Sequence, residues 1–467
     1  MKRIFAVISG AVMLLPFFSP DKAGAINFPL KDQIRSESAV VINLDSDMVI
    51  HDKNASSQQM PGPLVNIMTA IICMENCDDL NEAITIDESV YADFYSWEYP
   101  DDLRYADIMD GDVLTVEDLL HAMMLTSSIE AAETLAYHFS DGDIDSFVEK
   151  MNDKAAEIGC QATHFTNPTG MYDINQYTTA YDVAAITEYA LEIPRFDSIA
   201  TAAEYVPSNP NVQNHSNVTE WVWKNSNLMM DSQSDYYYNG TKGIKTGNLT
   251  AAGRNLVTLA SKDGNNYLVV LLKAPINDTE GNTQFYHIED AISVLNWAFN
   301  HFSYQVILSE TSEVDEVKVT LAEGNDYVLA RPKEEFSMLW YDELDTSLIK
   351  RDGDNIKFDR TSFQAPIKKG DRLGEVTLTY SGETLGKVEL VAVSNVKRSA
   401  SKYNLYVAKR FKESKWFNKA VLTASLLCGI YILICILSFI AYKNDTKPAT
   451  SRYAIPKLKK KSKKKDD

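Results

Sequence analysis

Cysteine is scarce in this sequence: five residues among 467. Two of them, Cys428 and Cys435, fall inside a long apolar run near the C-terminus, leaving Cys73, Cys77 and Cys160 elsewhere. An odd number, with no histidine at metal-ligand spacing, offers neither a disulfide framework nor a zinc site. Cys73 and Cys77, four apart on an expected helix, share a face there, and all three read as small core residues. Positive charge is also in short supply, 45 Lys and Arg against 65 Asp and Glu, for a formal charge of −20. The last 25 residues are basic (about +7) and the first 25 slightly so (about +2), so the stretch between them lies near −29 by subtraction. Such a surface excludes nucleic acid or an anionic lipid as its main ligand and reads as a solvated acidic exterior. No internal repeat and no long low-complexity region appears. What remains, 45 % hydrophobic and 24 % charged residues, is ordinary globular composition at a length suited to two or three domains.

Long apolar runs occur only at the two ends. Met1-Lys2-Arg3 leads into an apolar stretch from Ile4 to Phe18 and then to Ala23-Gly24-Ala25. A basic start, a short apolar segment and an Ala-x-Ala end describe a signal peptide over residues 1–25. Residues 420–442 are apolar on all sides and long enough to cross a bilayer, and Lys457, Lys459, Lys460, Lys461, Lys463, Lys464 and Lys465 follow. The expectation is a single-pass protein of the cell membrane, its ectodomain extracellular and the tail 443–467 cytoplasmic. Before the span, residues 397–419 read as a basic amphipathic stem.

Between the ends, periodicity changes along the chain. Residues 38–53 alternate around Asp45-Ser46-Asp47 as a β-hairpin, and residues 63–75 take helical spacing with Pro63 at the first position. A second helix follows Thr115, with Asp118 at the capping-box position; a third is expected over Ile129–His138 and a fourth over Asp145–Ile158. Strands follow over 243–247, 254–260 and 267–272, so that a sheet is assembled from both ends of this region with helices between. From Gln305 to Val393 the alternation is of period two, as in Val317-Lys318-Val319-Thr320-Leu321, which predicts a small all-β domain.

The segment Pro61-Gly62-Pro63-Leu64-Val65-Asn66-Ile67-Met68-Thr69 resembles the active-site helix start of the D-alanyl-D-alanine carboxypeptidases, the low-molecular-mass penicillin-binding serine peptidases, where Pro-Ala-Ser-x-x-Lys leads into Ile-Met-Thr. Further stretches resemble the same family in the same order. They are Leu114 to Leu120, Ser127-Ser128-Ile129-Glu130-Ala131-Ala132, His164-Phe165-Thr166-Asn167-Pro168 with Gly170 and Asp173, Gly243-Ile244-Lys245-Thr246-Gly247 with Ala251-Ala252-Gly253, then Ala365 to Asp371 and Gly386-Lys387-Val388. The resemblance covers roughly residues 27–395. It implies an α/β (α+β) domain of the serine β-lactamase and transpeptidase type over residues 26–302 and the small β domain over 303–396. It implies no metal or other cofactor.

The resemblance also shows what is changed. Pro63 stands where the family has its serine nucleophile, Asn66 where it has the lysine base, and Ile129 where Ser-x-Asn has its asparagine. Proline has no hydroxyl and an amide has no basic lone pair, so acyl transfer at that helix start is lost. Ser127 is retained, either as a substrate-binding residue or as a helix cap, and Lys245, Thr246 and Gly247 are intact. In the family that strand edge bonds the substrate's backbone and attracts its carboxylate, roles that need no nucleophile. Ser-x-x-Lys also occurs at Ser347, Ser394 and Ser399, outside the family context. The expected function is a catalytically inactive relative that binds peptidoglycan stem peptides or a cell-wall protein. The competing expectations are an active carboxypeptidase with a non-standard site, and a purely structural ectodomain.

Overall fold

The computed structural model describes residues 28–30, 33–208 and 221–445. The expected signal peptide and all of the basic tail beyond Asp445 lie outside the described residues. The described chain forms two compact units. One takes the chain up to Ser312 together with Glu334–Ile356 and Val376–Val388, and the other takes Glu313–Lys333, Lys357–Glu375 and the chain from Glu389 onward.

The first unit is organised by a five-stranded antiparallel sheet. Strands β1 (Ser38–Asn43) and β2 (Met48–Lys53) form the hairpin that the alternation predicts. Two small ribbon pairs come next, β3 (Ala83–Thr85) with β4 (Val113–Thr115), and β5 (Glu204–Tyr205) with β6 (Trp223–Lys224). The sheet is completed by β7 (Thr241–Leu249), β8 (Gly253–Lys262) and β9 (Asn265–Ala274), in the order β2-β1-β9-β8-β7. Strand β9 therefore bridges the two sequence-distant halves, pairing Val40 with Val270 on one side and Val257 with Val270 on the other. Strand β7 is left as an edge.

The helices are α1 (Asn66–Glu75), α2 (Val116–Thr126), α3 (Ile129–His138), α4 (Ile144–Ile158), α5 (Ala180–Leu191), α6 (Phe196–Ala200) and α7 (Tyr286–His301). The expected helix over 63–75 is in fact two pieces, a tight 3₁₀ turn at Gly62–Val65 running into α1. Helix α1 is buried on every face from Asn66 to Cys73, so packing and not amphipathicity holds it in place. Its position at the centre of the core explains the run Ile67-Met68, Ala70-Ile71-Ile72, all in one cluster with α2, α3 and the sheet. Helix α2 starts at the predicted capping box: Asp118 N–H donates to Thr115 Oγ1 at 3.0 Å, and Thr115 N–H to Asp118 Oδ2 at 2.8 Å. Cys77 lies just beyond the end of α1, so it does not share a helical face with Cys73; the described cysteines are all free thiols.

Also in this unit, Phe302–Leu308 pairs antiparallel with Phe336–Tyr341, and Phe28 packs edge-on against Phe302 and Trp340 at ring-centre distances of 5.1 and 5.5 Å. In the second unit, Asp315–Thr320 pairs antiparallel with Tyr327–Pro332 through Val317 and Val328, and Ala330 pairs onward with Ala392. This is the all-β character that period-two alternation predicts. Two helices follow, α8 (Ala400–Glu413) and α9 (Lys415–Asp445). Lys415–Asn444 has a mean hydropathy of 2.6 in its most apolar window and is long enough to cross a membrane.

Candidate functional site

The site forms where the 3₁₀ turn, the elbow between α2 and α3, and the edge strand β7 converge. Gly62 takes φ +55°, a conformation that glycine adopts readily, and it precedes Pro63, whose ring disfavours a helical residue before it. The turn is pinned to the sheet by Asn255 on β8, whose Nδ2 donates to the carbonyls of Met60 (3.0 Å) and Pro61 (2.8 Å) while its Oδ1 accepts from Lys273 N–H (2.7 Å). At Gly247 a side chain would meet the Pro61 carbonyl at 3.3 Å, so glycine there lets β7 lie against the turn.

Asn66 is fully buried. Its Nδ2 donates to the carbonyl of Pro168 at 3.2 Å, and its Oδ1 has no partner among the described residues. The Asn167–Gly170 loop that receives it is held by Thr69 Oγ1 donating to the same Pro168 carbonyl at 2.7 Å. Gly170 (φ +81°) touches the turn so closely that a Cβ would sit 2.1 Å from the Gly62 carbonyl oxygen. Ile129 is buried with Met171, Leu249 and Ala252, an apolar cluster.

The α2–α3 elbow is two residues long. Ser127 closes α2 in the left-handed region (φ 63°, ψ 34°), its N–H donating to the Met123 carbonyl, and Ser128 opens α3, its Oγ accepting from Ala131 N–H at 3.1 Å. The helix-capping side chain is thus Ser128, which corrects the alternative assignment of that role to Ser127. The sequence could not separate two adjacent serines; the backbone does. Ser127 instead meets Lys245, whose Nζ lies 2.5 Å from Ser127 Oγ and donates to the Thr246 carbonyl at 2.9 Å. Lys245 is fully buried, and burial pushes its pKa down to about 7. Thr246 Oγ1 is 2.5 Å from Ser226 Oγ, while Ser226 N–H donates to the Leu125 carbonyl at 2.9 Å, tying the strand edge to the end of α2.

A cavity of about 170 Å³ opens beside this arrangement, with Pro63, Ser127, Thr246 and Gly247 in its wall. The same wall contains three groups that sequence reasoning missed: Arg104, Arg254 and His287. Arg254 lies over the Phe285 ring at 4.5 Å, and its Nε has no hydrogen-bond partner among the described residues. Burial, and then the charge of Arg104, draw its pKa down. His287 is buried with Nδ1 unpartnered, and burial followed by the charge of Arg254 pushes its pKa to about 3, so it is neutral. No carboxylate lines the cavity among the described residues. In a chain of net charge −20, this is a local concentration of positive charge suited to an anionic group. Arg254 had a signal, a charge directly after the Ala251-Ala252-Gly253 run at the start of a strand whose centre, Leu256 to Ala260, is mostly apolar. Arg104, in an aperiodic loop, had none.

Comparison with known proteins identifies the family. The D-alanyl-D-alanine carboxypeptidase family profile matches residues 25–276. The chain belongs to that family. Residues 302–398 match the C-terminal domain of penicillin-binding protein 5. The D-alanyl-D-alanine carboxypeptidase DacF of Bacillus subtilis is 26 % identical over 405 residues, 85 % of this chain and 96 % of that protein. The D-alanyl-D-alanine carboxypeptidase of Streptomyces sp. K15 is 26 % identical over 300 residues, covering 63 % of this chain and 96 % of its own length. Among solved structures, penicillin-binding protein 5 of Haemophilus influenzae superposes with a TM-score of 0.54 at 22 % identity, covering 79 % of this chain and 99 % of that one. DacD of Francisella tularensis gives 0.57 at 20 % identity, covering 81 % and 98 %. The fold is therefore that of the penicillin-binding proteins, a carboxypeptidase domain followed by a β domain. None of the serines of the stray Ser-x-x-Lys segments is among the residues lining the cavity; Ser347 is in an exposed turn, and Ser399 is the cap of α8.

Proposed function

We propose that this protein is a member of the carboxypeptidase family that recognises carboxylate-ended peptides of the peptidoglycan stem without turning them over at residue 63. The observation that carries the reading is the composition of the cavity wall: Arg104, Arg254 and the edge of β7 are present, and the helix-start residue facing them is a proline. A β7 edge with unpaired backbone groups suits an extended peptide, and the two guanidinium groups suit its terminal carboxylate. Asn66 supports the loss of the conventional base, because its amide is engaged with the 167–170 loop and carries no basic nitrogen. A Pro63 ring offers no oxygen to acylate.

The membrane arrangement belongs to the same proposal. Helix α9 anchors the chain in the cell membrane, the carboxypeptidase-like and β domains lie outside the cell, and the lysine-rich tail is cytoplasmic. Partners among cell-wall proteins fit the same placement. The test is a binding titration of the detergent-solubilised full-length protein with a stem pentapeptide ending in D-Ala-D-Ala, run beside an assay for released D-alanine. Saturable binding without multiple-turnover release is expected, and sustained release would overturn the reading.

A further inference from the structure

We propose that Ser127 is a nucleophile with Lys245 as its base, so that the site takes an acyl group at residue 127 instead of residue 63. The choice of a carboxylate-bearing acyl donor rests on the proposed function above; the serine–lysine pair itself does not.

The geometry has four parts. Ser127 Oγ and Lys245 Nζ are 2.5 Å apart, a contact that serves whether the ammonium donates to the hydroxyl or the free amine accepts from it. The other partner of Nζ is a backbone carbonyl, that of Thr246. No salt bridge to a carboxylate is found for Lys245 among the described residues, so nothing of opposite charge holds its proton in a fully buried setting. Ser127 occupies a left-handed conformation that non-glycine residues rarely adopt, fixed at a two-residue elbow by its own N–H bond to Met123. Finally, Ser127 is half-buried and in the cavity wall, with Arg254 and Arg104 in the same wall to attract an anionic donor.

Arg104 comes from the loop before β4 and Arg254 from β8, and each brings a guanidinium. His287 on α7 is neutral. Glu130 on α3 is raised by burial to about 7, yet its carboxylate is committed to Ala106 N–H and Ser128 Oγ. Lys245, drawn down to about 7, is therefore the base in contact with Ser127 near neutrality.

The step balances as an acyl transfer. Neutral Lys245 Nζ takes the Ser127 hydroxyl proton as Oγ bonds to the donor's carbonyl carbon. The bond from that carbon to the leaving oxygen or nitrogen breaks, and the leaving group either departs as an anion or takes the proton from the Lys245 ammonium. The product is an ester at Ser127. The substrate class is an activated or strained acyl donor, such as an aryl ester or a β-lactam.

The experiment uses full-length protein in detergent with p-nitrophenyl acetate, followed by rapid-mixing absorbance, intact mass and peptide mapping, and then fluorescent penicillin as a carboxylate-bearing donor. A burst of about one equivalent per chain is expected, with the acetyl group on Ser127 and a rate that rises with pH through a midpoint near 7. Ser127→Ala should abolish the burst, and Ser127→Cys should retain an adduct at the same position. Lys245→Arg, which keeps the charge but cannot release it, should slow acylation by about 100-fold or more and flatten the pH profile. Glu130→Gln should leave the midpoint where it is. Thermal unfolding of each variant shows that it folds. No burst, an adduct on another residue, or full reactivity in folded Lys245→Arg would overturn the pair. Acylation at Ser127 without binding of the pentapeptide would leave the pair standing and remove the recognition reading; binding without acylation would do the reverse.

Discussion

Asn66 gives its side-chain N–H to the carbonyl of Pro168 across 3.2 Å, binding the start of α1 to the loop that packs on Gly62. The position that would supply a base in a Ser-x-x-Lys helix has become a structural tie. Restoring the motif by Pro63→Ser with Asn66→Lys therefore removes a buried hydrogen bond and places an ammonium where only carbonyls await it. No penicillin adduct at position 63 is expected in this double variant, by peptide mapping. Adding Ile129→Asn, to replace the branch now packed with Met171 and Leu249, is expected to be required before any appears. A penicillin adduct mapped to position 63 in the double variant would contradict this.

Gly170 supplies a second test of the same tie. A methyl at this position would lie 2.1 Å from the Gly62 carbonyl and would have to be carried at φ +81°. Gly170→Ala should cost roughly 2–4 kcal/mol in urea unfolding, among the larger single-residue effects, whereas Gly111→Ala, which meets nothing within 4 Å, should show only the φ penalty.

These examples show what was legible in the sequence. The capping box at Thr115, the hairpin at 38–53 and the strand carrying Lys245 follow from local signals: a cap residue, period-two alternation and β-branched runs. That Pro63 brings no hydroxyl, Asn66 no basic nitrogen and Ile129 no amide is legible in the sequence, because side-chain composition does not depend on the fold. The Ser127–Lys245 contact spans 118 positions, and the proximity of Arg104 to Arg254 joins a loop to a strand. Neither has a periodic signature: the motif resemblance assigns Ser127 and Lys245 to one site, but their direct contact, and the nearness of the two arginines, come from tertiary structure. The adjacent serines 127 and 128 differ in role because one backbone is left-handed and the other extended, a distinction composition does not carry.

Glu133 on α3 is buried, and desolvation raises its pKa from the usual 4.5 to about 7. For an acid raised on folding, the unfolded state binds fewer protons between those values. The penalty is absent below about pH 4.5, grows from there to about 7 and is complete above. Glu133→Gln should thus raise the unfolding midpoint at pH 8 by several degrees and change it little at pH 4.5. Equal shifts at both pH values would contradict the assignment.

Lys245 works in the opposite direction. A base lowered on folding, here to about 7 from 10.5, penalises the native state most fully below pH 7, and the penalty fades as pH rises towards 10.5. Lys245→Met should raise the thermal midpoint at pH 6 and abolish the Ser127 burst, a stability gain paired with a functional loss.

Truncation before Lys415 removes the one helix, among the described residues, long and apolar enough to span a membrane. The shortened chain should leave the membrane fraction. Retention after a high-salt wash would assign a second anchor to α8.

The most direct test of the central account is calorimetric titration of the full-length protein with a stem pentapeptide ending in D-Ala-D-Ala, with D-alanine measured in the same samples. The account predicts saturable binding, weakened about 10-fold to 100-fold by Arg254→Ala through loss of a charged hydrogen bond, and at most one equivalent of D-alanine per chain. Multiple-turnover release of D-alanine, or binding indifferent to Arg254→Ala, would contradict it.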